Sequence, residues 1–224
     1  MIGQMSTSAC EELNAWVPKK INLNIMGGEI TILENYPEML VALSTGRGRI
    51  RLVTNGFWGG RGTDTFFDAM RQIQAASCPR IEVAVSQDSW HDKPSHKAIS
   101  LLKDNNMGIP IIEPGDSSVN DIVPVGRAWD NNLGGYKNTV SRCEDMCNMT
   151  ITENGMICKC PFGYFPWRHF NETTWEEAQE YVYNWRSEQL KAGMNCRLCM
   201  ETVQMSLSRD GDVDTSFTEE QVYV

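Results

Sequence analysis

Between residues 21 and 128 the chain alternates short apolar runs with amphipathic stretches, and that alternation leaves few folds open. The runs fall at 21–26, 50–54, 81–86, 109–112 and 122–125. Each is rich in Ile, Val or Leu, too short for a buried helix, and ends at glycine, proline or a polar turn, as a strand of a parallel sheet does. Stretches with helical spacing separate the first four runs, at 36–44, 63–75 and 93–104. The second of these sets Phe66, Phe67, Met70 and Ile73 on one face, with Thr63 or Asp64 available as its cap. Ahead of the first run, Ser8-Ala9-Cys10-Glu11 reads as a capping box opening a helix to about Trp16. Strand and helix repeating in this way predict a parallel α/β sheet or barrel. Because the order opens on a helix, a preceding strand is expected to be missing from these residues.

The composition changes after the polar, glycine-rich segment 129–139. Six of the eight cysteines follow it: Cys143, Cys147, Cys158, Cys160, Cys196 and Cys199, leaving Cys10 and Cys78 in the first part. Residues 151–157 read as a hairpin with an Asn154-Gly155 turn. A helix is expected from the capping box Thr174-Trp175-Glu176-Glu177 to near Gly193, with Trp175, Ala178, Val182 and Trp185 on its packing face. Three segments result: 1–139, 140–205, and an acidic tail at 206–224 that is expected to be mobile.

Charge narrows the function. The formal net charge is −9, which argues against a nucleic-acid or anionic-membrane partner, since either wants a basic patch. No apolar run reaches the roughly 20 residues of a membrane span, and residues 1–20 lack the basic and apolar regions of a secretory signal. A cytoplasmic location is therefore expected. Asn148-Met149-Thr150 and Asn171-Glu172-Thr173 match glycosylation acceptors, and eight cysteines could form disulfides. In an intracellular chain, however, clustered cysteines more often bind metal or do redox work.

Chemistry in parallel α/β folds gathers at the carboxyl ends of strands. The first run ends Gly27-Gly28-Glu29, and the second ends Thr54-Asn55-Gly56. The third ends Ser86-Gln87-Asp88 with His91-Asp92 nearby, and the last reads Pro124-Val125-Gly126-Arg127-Ala128. Singly each is a turn signal. In this order and spacing they resemble the radical S-adenosylmethionine (SAM) enzymes. By that resemblance Gly27, Gly28 and Glu29 hold the amino group of the SAM methionine moiety, although Ile30 stands where the family usually has proline. Ser86 and Asp88 fall where polar side chains approach the SAM carboxylate or ribose, and residues 125–127 where a late strand lines the adenine side. The family's C-x3-C-x2-C motif, whose thiolates bind a 4Fe–4S cluster, does not occur in these residues. Cys10 stands alone, and after Cys143 and Cys147 the third place is Thr150. The family barrel has six strands and five are read here. Both absences are expected to lie in one missing N-terminal segment, which a second chain could supply.

Cys143 and Cys160 bracket Gly155 as C-x11-G-x4-C, and a C-x2-C pair, Cys196 and Cys199, follows the helix. Four thiolates suit a 4Fe–4S cluster or structural zinc equally from ligand type alone. The spacing resembles the twitch form of the SPASM auxiliary-cluster domain, and the resemblance makes Cys143, Cys160, Cys196 and Cys199 ligands of an auxiliary 4Fe–4S cluster. Cys147 and Cys158 are then extra, and Cys10 and Cys78 read as core or loop thiols. The expected fold is thus α/β: a partial (β/α) barrel of the radical SAM type lacking its first strand, followed by a small cysteine-rich α+β domain. The expected activity is radical chemistry on an unidentified peptide or small molecule, with no SAM cleavage by these residues alone. The alternative is a non-enzymatic four-cysteine zinc or iron–sulfur module serving as a binding protein.

Overall fold

In a computed structural model the described residues are 5–26, 29–59, 62–76, 80–85, 95–104, 111–112, 149–159 and 166–192. The chain forms two compact units, one built on Gln4–Asp116 and the other on Ser117–Tyr223. The fifth expected strand, the segment 129–139 and the tail lie outside the described residues.

The first unit runs α1 (Thr7–Trp16), β1 (Leu23–Ile25), α2 (Tyr36–Ser44), β2 (Arg49–Thr54), α3 (Thr63–Ala75), β3 (Arg80–Val85), α4 (Ser95–Asp104) and β4 (Ile111–Ile112). The four strands pair in the order β1-β2-β3-β4, every pair parallel. Each crossover carries one helix, and right-handed crossovers stepping in one direction place those helices on one face of the sheet. Nothing among the described strands reverses the order, which a doubly wound sheet would require.

Register divides the sheet into two unlike faces. Ile25, Leu52 and Val83 align across three strands, as do Ile50 and Ile81 in the row below, and all five are buried. This is the face that the helix residues Leu40, Phe66, Met70 and Ile73, each fully buried, require. The other face carries Asn24, Arg49, Arg51, Arg80 and Glu82. Strand β2 therefore alternates instead of presenting the continuous apolar run expected of a parallel strand.

The helix starts differ in detail from the sequence reading. Ser6, not Ser8, caps α1, its Oγ accepting from Ala9 N at 3.1 Å. Gly62, at φ +87°, is the N-cap of α3, while Thr63 donates its hydroxyl to Trp58 O at 3.3 Å. At the far ends of α1 and α2 the buried Arg47 side chain donates five hydrogen bonds to backbone carbonyls.

The second unit holds an antiparallel sheet of β5 (Thr150–Ile151), β6 (Met156–Cys158) and β7 (Pro166–His169), then α5 (Trp175–Lys191). The expected capping box forms: Thr174 Oγ1 accepts from Glu177 N at 3.2 Å and Glu177 Oε2 accepts from Thr174 N at 3.1 Å. Ala178, Val182 and Trp185 are buried, as their spacing predicts. In the β5–β6 turn, Gly155 N donates to Thr152 O at 2.8 Å and Gly155 sits at φ +74°. A side chain there would be strained by that backbone and would run into the His169 imidazole. Gly155→Ala is expected to cost roughly 2 kcal/mol, read as a lowered urea midpoint; a loss under about 0.5 kcal/mol, the scale of a neutral surface change, would contradict the turn geometry. Among the described residues no helix is long and apolar enough to cross a membrane.

Candidate functional site

The ends of β1 and β2 meet at one carboxylate. After β1, Glu29 lies in extended backbone (φ −150°, ψ 100°) and caps the short 3-10 turn Ile30–Ile32. Its Oε1 accepts from Thr31 N at 3.2 Å and from the Thr31 hydroxyl at 2.5 Å. From β2, Thr54 Oγ1 reaches both oxygens, at 2.8 and 2.9 Å, and Asn55 N donates to Oε2 at 2.6 Å.

The residues after β2 are folded to make those donors available. Thr54 is buried, and its hydroxyl oxygen accepts from Gly56 N at 3.1 Å. Asn55 turns the chain by accepting Phe57 N on its own Oδ1 at 2.8 Å, and Gly56 takes φ +78°. Thr54-Asn55-Gly56, which alone reads as a turn, thus forms the receptor for the Glu29 carboxylate. Nearby, the buried Tyr36 hydroxyl has no hydrogen-bond partner among the described residues, and its pKa is pushed up to about 12 by burial and then by the Glu29 charge.

Among the described residues every donor to Glu29 is electrically neutral, and no Lys, Arg or His pairs with it. Neutral donors orient a carboxylate without cancelling its charge. The arrangement therefore presents a fixed negative charge to a cation at the carboxyl ends of two adjacent parallel strands.

Of the other expected SAM-site residues, Gly27, Gly28, Ser86 and Asp88 lie outside the described residues, as does His91. Ser86 follows Val85, the register partner of Thr54.

The four expected cluster ligands Cys143, Cys160, Cys196 and Cys199 also lie outside the described residues, with Cys147 and Cys78. Among the described residues no three His, Cys, Asp or Glu side chains group as a metal site. Two cysteines are described, Cys10 on α1 and Cys158 on β6, and both are buried thiols. Burial raises each thiol to about 11, helped by the charge of Glu11 beside Cys10 and of Glu153 beside Cys158.

Lys159 and Trp167 make contacts with α5 that the sequence pattern did not mark. Lys159 sets its Nζ 4.2 Å from the ring centre of Tyr181 and 5.6 Å from that of Trp185, both on α5. Trp167 of β7 stacks on Tyr181 at 4.1 Å. The aromatic spacing along α5 was the available signal; Lys159 gave none. No family model matches the chain, and no curated protein matches it.

Proposed function

We propose that this chain is a radical SAM-type iron–sulfur protein in which Glu29 receives the ammonium group of the SAM methionine moiety. The observation that carries this reading is the Glu29 carboxylate fixed by Thr31, Thr54 and Asn55 with no cationic partner among the described residues. Parallel strands in sequential order with one-sided crossovers support a partial (β/α) barrel as the frame. Residue 30 being Ile and not proline suits the same site, because the Ile30–Ile32 turn is capped by Glu29 itself.

In this reading Gly27 and Gly28 let the backbone approach the ligand, and Ser86 and Asp88 address its carboxylate or ribose. Cys143, Cys160, Cys196 and Cys199 hold the auxiliary 4Fe–4S cluster. SAM and its own cluster supply radical hydrogen abstraction, while this chain's part is to bind and orient. A cytoplasmic setting follows from the need for reduced thiolates at the cluster ligands. The alternative, a non-enzymatic four-cysteine module, makes Glu29 a turn cap and nothing more.

Calorimetric titration with SAM separates the two. Glu29→Gln is expected to weaken SAM binding by about tenfold or more, the scale of one lost charge-assisted hydrogen bond. A SAM analogue lacking the amino group should be indifferent to the substitution. Equal SAM affinity in the folded variant would return Glu29 to a purely structural role.

A further inference from the structure

The sheet face opposite the one lined by Ile25, Ile50, Leu52, Ile81 and Val83 carries a second charged feature, of opposite sign and independent of Glu29. Asn24, Arg51 and Glu82 lie in register across β1, β2 and β3, with Arg49 and Arg80 paired in the row below. Glu82 is the only carboxylate among the described strand residues of this face, and both its oxygens are taken. Oε1 receives Arg80 Nη2 at 2.8 Å and Oε2 receives Arg49 Nη2. Those guanidinium groups, Arg49 foremost, hold the Glu82 carboxyl below the usual carboxylate range.

Arg51 is left over. It forms no ion pair among the described residues, and its Nε is buried without a hydrogen-bond partner. Arg49 Nε is in the same condition, although Arg49 itself is one-third exposed. Among the described strand residues of this face, three guanidinium groups stand against one carboxylate, in a chain whose net charge is −9. Burying part of a guanidinium beside other cations with no acceptor opposes folding, and an arriving oxyanion reverses that balance. The planar fork of arginine matches carboxylate and phosphate oxygens in pairs. Asn24 is exposed on the adjoining strand and adds an amide donor at the same level.

We propose that Arg51, flanked by Asn24 and Arg49, forms an anion subsite on this arginine-bearing face that takes the carboxylate or phosphate group of a small acidic ligand. The two sources share one chemistry, and they differ in the probe that binds best.

The test titrates the full chain with inorganic phosphate and, separately, with malonate, at ionic strength held constant with sodium chloride. The readout is heat together with the Nε–Hε resonance of Arg51. Saturable binding at millimolar concentration is expected from at least one probe, phosphate preference marking a phosphorylated ligand and malonate preference a carboxylate. Arg51→Met is expected to weaken that binding by about tenfold or more. Arg71→Met, which removes an exposed α3 guanidinium paired with Asp68, should leave it unchanged. Should Arg51→Met not fold, Arg51→Lys keeps the charge without the fork and is expected to bind several-fold more weakly. If neither probe saturates on the wild-type chain, or if the folded Arg51 variant binds as wild type does, the proposal is overturned.

Discussion

Replacing Arg47 by Met is expected to lower the stability of the first unit by about 3–5 kcal/mol, the scale of several buried carbonyls left without donors. The guanidinium is 1% exposed and ties together parts of the chain that are distant in sequence. Its Nε donates to Leu43 O at 3.0 Å in the last turn of α2. Its Nη2 donates to Asn14 O at 3.0 Å and Val17 O at 3.1 Å, at the end of α1. Its Nη1 donates to Pro18 O at 3.3 Å and Ile21 O at 3.0 Å, in the connection to β1.

Helix C-termini leave carbonyls without intrahelical donors and carry partial negative charge, so one cation satisfies both needs at two helix ends. Methionine keeps the apolar stem but strands those acceptors, and each buried acceptor without a donor costs about 1–3 kcal/mol. Lys19 relieves part of this, since its Nζ donates to Asn14 O and Thr45 O, each at 3.0 Å. Arg47→Lys retains charge but not the planar fork, and its loss should be smaller than that of the Met variant. Urea unfolding followed by circular dichroism measures both. A loss below about 1 kcal/mol for Arg47→Met, the net worth of one ordinary hydrogen bond, would mean that water replaces the guanidinium and that it does not fasten the two helices.

Replacing Cys143, Cys160, Cys196 or Cys199 by Ser is expected to take the bound metal of the chain from a full load to near zero. A closed four-thiolate site has no spare ligand, and apparent binding energies of such sites, about 10–16 kcal/mol for zinc, are largely folding energy. Loss of one thiolate should therefore also loosen the second unit. Cys158→Ser is the contrasting variant: it alters a buried thiol outside the expected four-ligand set and is expected to keep the metal. Metal content by elemental analysis, with circular dichroism on each variant, distinguishes the two groups. Loss of metal from Cys158→Ser with retention in Cys160→Ser would reverse the ligand assignment.

Local signals explain which parts of this structure were legible in the sequence. The bounds of α2 and α3 follow from apolar periodicity, and the capping box at Thr174 from three neighbouring residues. The choice of Ser6 over Ser8 as the α1 cap does not follow, since both hydroxyls sit at the start of the same helix and lie 2.9 Å apart. Arg47 was invisible because its acceptors are main-chain carbonyls of residues 14–21 and 43, which no side-chain pattern marks. The arginine-bearing face of β2 was written in the alternation Arg49-Ile50-Arg51-Leu52, but the expectation of a continuously apolar parallel strand obscured it. At the site, Glu29 was singled out from Gly-Gly-Glu, whereas its donors Thr54 and Asn55 read only as a turn. Their role depends on β1 and β2 being adjacent and parallel, a fact of tertiary structure.

The measurement that bears most directly on the central claim is the iron, acid-labile sulfide and zinc content of the chain purified without oxygen. The radical SAM-type reading predicts about four iron and four sulfide per chain, the content of one 4Fe–4S cluster. About one zinc with no sulfide would contradict it and leave a structural four-cysteine module in its place.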